Sequence, residues 1–356
     1  MHKEKARKSF ITIVKNISFI IGYCCKNCKI RIIGIFVLAL LSGINAANVI
    51  LFYKYALESL RGDNPFFLLL VTLSIYLFIQ LINAIMRNWL SNVNFPIWDM
   101  KIKNGISKML YSKYVSIDLS DMDNSEFYDK YVRALNEADQ RSVQVLNTLQ
   151  YFLSNLFSAL GVLSVVAILD PILIFFSVIP VITSFFINIR INKERYDYEM
   201  ALTKENRKIS YIKRIFVLPQ FREEIRTQDY SKLLFGKYLY SNGQIINTIK
   251  SRMPSIINKS VFGANLFSLM NYGIPAVYLG WQVINKLISI GDFSALLIGT
   301  ANLSSSIFYM AILVPQMVQH SLFIDNLREI LDYKSPMEPT EESKVVQKAQ
   351  SHSIIL

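Results

Sequence analysis

Cysteine and histidine are scarce in this chain, and charge is almost absent from several long stretches of it. The three cysteines are Cys24, Cys25 and Cys28, so close together that no disulfide framework is implied; a reduced, cytoplasm-facing environment suits them. Three thiols with no neighbouring His or acid make a poor zinc site, and no metal is expected. A secretory signal peptide is not evident. The start, MHKEKARKSF, is basic, but the stretch after it is interrupted by Lys15 and Asn16 and lacks a small-residue cleavage site. The apolar stretches also lack the converging acids, histidines or metal ligands of an intramembrane enzyme; His320 lies just beyond one of them. A formal net charge of +12 could suit nucleic acid. No basic patch with interleaved aromatics accompanies it, so no nucleic-acid partner is expected.

What the chain does have is apolar residues sorted into blocks: 52% of its 356 residues are hydrophobic and the mean hydropathy is +0.32. A helix needs about 20 mostly apolar residues to cross the hydrocarbon layer. Six spans are predicted: Ile30–Tyr53, Phe66–Leu90, Tyr151–Leu169, Pro171–Ile189, Ile256–Trp281 and Asp292–Val318. Apart from Arg31 and Asp292 at the very start of their spans, Arg87 and Lys259 are the charged exceptions, each where a span should meet the cytoplasmic interface and could snorkel. Lys and Arg number 8 up to and including Arg31, 7 after span 2, 14 after span 4 and 4 in the C-terminal tail, against 3 in the other connections together. That imbalance places both termini in the cytoplasm of a multi-pass plasma-membrane protein. Tyr53, Tyr55, Trp89, Tyr278 and Trp281 fall near span ends, as an aromatic belt would. The fold class is therefore an all-α membrane protein in contact with the lipid bilayer. Before span 1, Phe10, Ile13, Val14, Ile17, Ile20 and Ile21 alternate with Thr12, Lys15, Asn16 and Ser18. The pattern reads as an amphipathic helix on the inner leaflet, with a frayed tail as the alternative.

The connections are unequal in a repeated way. Spans 1–2, 3–4 and 5–6 are joined by short links, the second almost directly through Asp170-Pro171. The two cytoplasmic connections, Ser91 to Gln150 and Arg190 to Ser255, are about 60 residues each, too long to be structureless. A helix running about 25 residues past the membrane reaches about 37 Å into the cytoplasm. Two such extensions and a short transverse segment use up each connection. In the first, Ile117 to Asn124 is rich in turn formers, and Asp123 followed by Glu126 resembles a helix start. A short helix over 125–131 would then carry Glu126, Phe127, Tyr128 and Tyr131. In the second, Pro219 suits the first position of a helix running to Arg226 through Gln220, Phe221 and Arg222, with Thr227 capping the helix that resumes. These aromatic tips either dock into a partner or pack between the extensions; both readings are open.

Taken together, the chain resembles the transmembrane domain of an ABC exporter half-transporter, the type-1 transmembrane fold, over about Lys29 to Asp325. The cadence of connections carries the resemblance, with two local stretches. Met122-Asp-Asn-Ser-Glu-Phe-Tyr-Asp-Lys-Tyr-Val-Arg-Ala134 is similar to the family's first coupling helix and the segment just after it. Tyr211 to Tyr240, with Leu218-Pro-Gln-Phe-Arg-Glu-Glu-Ile-Arg226 and Asp229-Tyr230, is similar to the second. The resemblance implies pairing with a second half-transporter, as homo- or heterodimer, with helices 4 and 5 crossing to the partner. It also implies that residues 125–131 and 219–226 are coupling helices seated on ABC ATPase domains. Residues 1–29 would be tail and interfacial helix, 30–325 the transmembrane domain, and 326–356 a linker.

The departure from the family is the ATP-binding domain. No G-x-x-x-x-G-K-[ST] loop occurs, Gly236-Lys237 being followed by Tyr, and there is no Leu-Ser-Gly-Gly-Gln-like signature. The expectation is a truncated product, a split gene or a fragment, with ATP and Mg bound on a partner domain and no cofactor in this chain. A peptidase domain that would cleave leaders is not expected either. Polar residues inside spans mark candidate cavity positions. Asn302, Tyr309 and Gln316 recur every seven residues in span 6 with Ser305 beside them, and Asn265 and Asn271 of span 5 are weaker candidates. Asn45 and Asn48 share a face of span 1, and Gln80, Asn83 and Arg87 share one in span 2. Interhelical hydrogen bonding is the alternative use of all these groups. Kinks are expected at Pro180, Pro275 and Pro315. Two functions are compatible with these features: the permease of an ATP-driven exporter of a peptide, lipid or other hydrophobic substrate, or a truncated half-transporter that regulates an intact partner.

Overall fold

The computed structural model describes residues 15–24, 26–60, 64–117, 125–227 and 230–333, and these are helical almost throughout, with no strand among them. The first part of the expected amphipathic segment, Cys25, residues 118–124 where a turn and an Asp123 cap are expected, the Glu126 side chain, Asp229 and the residues beyond Tyr333 lie outside the described residues. Residues 15–24 form α1. Then come α2 (Lys29–Ser59), α3 (Pro65–Trp89), α4 (Phe95–Ser116), α5 (Ser125–Leu169), α6 (Ile172–Val217), a short α7 (Arg222–Thr227), α8 (Tyr230–Ser268), α9 (Ile274–Ile284) and α10 (Ile290–Asp332).

Among the described residues, five helical stretches are long and apolar enough to cross a membrane: Lys29–Ser59, Pro65–Ser116, Arg141–Leu169, Ile172–Val217 and Ile290–Asp332. The expected span Ile256–Trp281 is helical along its length but is not one of the five. Asn258, Lys259, Asn265 and Asn271 dilute its apolar character, and a π turn at Leu269–Gly273 separates α8 from α9. A second π turn, Leu90–Asn94, joins α3 to α4. Each π turn is followed two residues later by a proline, Pro96 or Pro275. Proline has no N–H to give and its ring presses on the carbonyl four residues back, so a locally wider turn lets the chain continue as helix. Pro180 and Pro315, by contrast, sit inside unbroken α-helices.

The chain divides into two compact units. The first draws on Met1–Asn45, Phe78–Ser158 and Tyr309–Leu356. Its core joins Ile20 and Cys24 of α1, Ile35 of α2, Ile102 and Leu110 of α4, Leu146 of α5 and Ile324 of α10. Asn16, expected on the polar face of an interfacial helix, is instead fully buried. Its Nδ2 donates to Ser321 Oγ (2.9 Å), to the Ser321 carbonyl (3.1 Å) and to Asp325 Oδ1 (2.6 Å), while its Oδ1 accepts from Arg328 (3.1 Å). A complete set of partners offsets the desolvation of a buried amide, so α1 is fastened to α10 through its nominally polar side. Arg31, at the head of α2, is likewise sealed from solvent. Its Nε donates to Asp99 Oδ1 at 2.7 Å, its Nη atoms to Asn147 (2.8 Å) and Gln150 (3.3 Å), and its guanidinium lies 3.6 Å over the Phe95 ring. One side chain thus ties α2, α4 and α5. Further along α2, Gly43 permits close approach: a Cβ there would meet the Phe157 carbonyl oxygen at 2.7 Å.

The second unit draws on Ala46–Leu77 and Ala159–Phe308. Asp170 makes the abrupt turn from α5 to α6, as its sequence position predicts. Its Oδ1 accepts from the Ile172 N–H (3.0 Å) and its Oδ2 from Tyr278 (3.1 Å) and Gln282 (2.9 Å), which fixes α9 to the turn. Helix α6 packs antiparallel to α8 around Ile191, Tyr198 and Ile256. α9 ends in a Schellman motif: Leu287 N–H bonds the Gln282 carbonyl (2.9 Å) and Lys286 N–H that of Val283 (2.9 Å). Lys286 occupies the left-handed position, φ 58°, where glycine is the usual residue. α10 opens with a capping box, Ser289 Oγ accepting from the Asp292 N–H (2.9 Å) and Asp292 Oδ2 from the Ser289 N–H (3.4 Å).

Arg31→Met should lower stability by about 3 kcal/mol by stranding Asp99, and adding Asp99→Leu should recover part of that loss. Thermal unfolding of the purified chain in detergent measures both. In the same assay Lys286→Gly should stabilise the chain by about 1 kcal/mol, because it removes the cost of a side chain in the left-handed region.

Candidate functional site

The chemistry-bearing positions fall in two kinds of place, the hairpin tips and the polar positions along the apolar helices. In the first tip, placed in the first unit, residues 125–131 do not form a helix of their own: Ser125 begins a 45-residue helix that runs on to Leu169. Its aromatics divide. Tyr131 is buried against α4, its hydroxyl 3.5 Å from the Leu110 carbonyl and its ring 5.3 Å from that of Tyr114. Phe127 packs on the Tyr333 ring at 4.7 Å. Tyr128 alone of the three is exposed, at 50%.

The second tip, in the second unit, is a discrete element. Leu218 leaves α6 with extended backbone (ψ 127°), Pro219–Phe221 makes one 3-10 turn, and α7 follows directly. Proline at its start supplies a fixed φ and gives up an N–H that had no partner. Pro219, Gln220 and Arg222 are exposed and Phe221 is half-buried. Glu223 and Glu224 in the first turn of α7 and Arg226 in its last complement the helix dipole. Thr227 Oγ1 donates to the Glu223 carbonyl at 2.7 Å at the end of α7; residues 228–229, where it is expected to cap the next helix, lie outside the described residues.

Among the polar positions of α10, Asn302 and Ser305 are half-buried and Tyr309 and Gln316 exposed. Ser305 donates to its own helix at the Ala301 carbonyl (2.9 Å). On α8 and the π turn, Asn265 is exposed, whereas Asn271 is 2% exposed and its Oδ1 has no hydrogen-bond partner. Asn45 Oδ1 and Asn48 Nδ2 of α2 are buried without partners in the same way. The polar side of α3 is used differently. Asn83 donates to the Leu41 carbonyl (2.9 Å) and Arg87 to Ser42 Oγ (3.1 Å), so this polar row fastens α3 to α2. Lys259, expected to snorkel, pairs with Glu194 of α6 at 2.5 Å.

Compared with known proteins, the chain matches no family model and no curated protein. Its site is read from its own residues. Sequence reasoning missed the hydroxyl row that packs α10 on α6, where Ser304 Oγ donates to the Ser177 carbonyl at 2.8 Å. The signal was there in Ser304 and Thr300 at helical spacing, but a serine row reads equally as cavity lining or as packing. Cys24 and Cys28 are both buried inside the first unit's core.

Tyr131→Ala should cost about 3 kcal/mol, as deletions of buried aromatic rings do, whereas Tyr128→Ala should stay within about 0.5 kcal/mol. Equal losses for the two in thermal unfolding would contradict the division of this tip into a packed and an exposed side.

Proposed function

We propose that the chain is the transmembrane domain of an ABC exporter half-transporter, working with ATPase domains and a second half-transporter and forming a path for a peptide, lipid or other hydrophobic substrate. The observation that carries this reading is the length of the helices beside their apolar parts. At 1.5 Å per residue the 46 residues of α6 extend about 69 Å, more than twice the hydrocarbon thickness of about 30 Å. Its apolar stretch ends near Ile189, and the rest is charged, runs antiparallel to α8 and turns at a short exposed helix. A rigid lever ending in an exposed helix is what coupling to a soluble ATPase needs, since a movement at the tip is carried to the membrane without being absorbed by a loop.

In this reading the sixth span is 256–281, whose polar dilution belongs to a helix lining an aqueous path. The tip Pro219–Thr227 and the exposed Tyr128 meet ATPase domains that bind ATP and Mg. The half-exposed polar row of α10, Asn302 to Gln316, faces the substrate. Both termini and both long hairpins lie in the cytoplasm, as the distribution of Lys and Arg requires.

The test is purification of the tagged chain from its native membranes together with an ATPase subunit, and ATP hydrolysis by the complex. Phe221→Ala with Arg222→Glu should abolish the association and leave the chain folded. Retention of the ATPase by that variant would contradict the coupling role. In the assembled complex, Asn302→Leu with Gln316→Leu should change substrate-stimulated hydrolysis by several-fold while basal hydrolysis is kept.

A further inference from the structure

Helices α6 and α8 treat their charges in two ways along one antiparallel pair. In the stretch near Ile191 and Ile256 the pairing is complementary: Lys259 meets Glu194 at 2.5 Å, and Arg252 donates to the Asp197 carbonyl at 3.2 Å. Toward the hairpin tip cations gather. Arg207 and Lys208 of α6 and Lys232 and Lys237 of α8 line a cavity of about 860 Å³, with no carboxylate among its described lining residues. Lys208 is held by Glu205 at 2.7 Å, and this bond keeps the Glu205 carboxyl below its ordinary range. Arg207 and Lys237 have no ion pair among the described residues. Cations set against cations weaken helix pairing, and the same two helices avoid this elsewhere.

The rest of the wall is apolar and aromatic except for Ser241, whose hydroxyl bonds the Glu205 carboxylate. Tyr211 and Tyr240, each 66% exposed, line the cavity from opposite helices. Its α8 side includes Gly236, where a Cβ would meet nothing within 4 Å, so the groove stands open over this helix. The volume lies within the roughly 300–1,000 Å³ of small-molecule sites. We infer that this groove binds a small organic anion with an aromatic face, its charge taken by Arg207 and Lys237 and its ring by Tyr211 and Tyr240. Charge-assisted bonds from the cations hold the anion. The two tyrosines offer ring faces for stacking. Binding here needs neither the ATPase partner nor the transport reading, and so it stands or falls separately from them.

Isothermal titration of the full chain in lipid nanodiscs tests the inference, with ADP, inorganic pyrophosphate and adenosine as probes. ADP should bind saturably, more tightly than either of the others, and more weakly as ionic strength rises. Arg207→Gln with Lys237→Gln should weaken ADP at least tenfold. Gly236→Trp should fill the groove and abolish binding, while Gly243→Trp, also over open space but outside the lining, should leave it. Size-exclusion with light scattering should show the same oligomeric state for all variants. Absence of saturable binding by all three probes, or ADP binding indifferent to both groove variants, would overturn the proposal. So would a fall in oligomeric state with Gly236→Trp, which would make the groove a subunit interface.

Discussion

A peptide group in hydrocarbon has no water to bond, so each N–H and C=O there must find its partner within the protein. That constraint accounts for most of what is regular in this chain. The apolar segments are held in helices of 25 to 46 residues. Where Pro96 and Pro275 remove a donor, the backbone widens into a π turn and stays bonded, without opening into a loop. The sharp connections in the second unit are closed by side chains and local backbone bonds. Asp170 serves the α5–α6 turn, and Ser289 with Asp292 opens α10 after a Schellman turn has ended α9.

The same accounting extends to buried side chains. Asn16 and Arg31 would each be costly if unpartnered, and each is bonded on all sides within the first unit. These networks do more than satisfy the groups. Arg31 fixes how α2, α4 and α5 cross, and Asn16 fixes α1 to α10. The exceptions stand out against this background. Among the described residues Asn45, Asn48 and Asn271 keep a buried atom without a partner, as do Glu205, Gln282 and His320, and the three asparagines fall in segments read as membrane-spanning. Unsatisfied amides of this kind are the groups that a polar substrate or water in a path through the membrane would meet.

Hydropathy and charge spacing made the helical class, five of the apolar helices, the Asp170-Pro171 turn and the tip at Pro219 legible in the sequence. Each of these depends on local composition or on a residue whose own chemistry dictates the backbone. The misreadings share a different cause. Arg31 counted as one more cytoplasmic charge, and Asn16 as one more polar residue on a solvated face, because their partners lie between 68 and 312 residues away. Ser125 to Tyr131 resembled a separate helix, since a turn-rich stretch precedes it, yet nothing in its own sequence ends it before Leu169. The capping box of Ser289 and Asp292 was readable from its Ser-x-x-Asp pattern but was obscured by the apolar run after it.

The exporter reading depends most on the segment 256–281 crossing the membrane although it is less apolar than the other five. The direct measurement is labelling of single cysteines with a membrane-impermeant maleimide in intact cells, in a background with Cys24, Cys25 and Cys28 replaced. Cysteine at Leu287 should label from outside, and cysteine at Gln220 only after the cells are opened. If both positions label only in opened cells, the segment does not cross, and the six-span exporter reading is wrong.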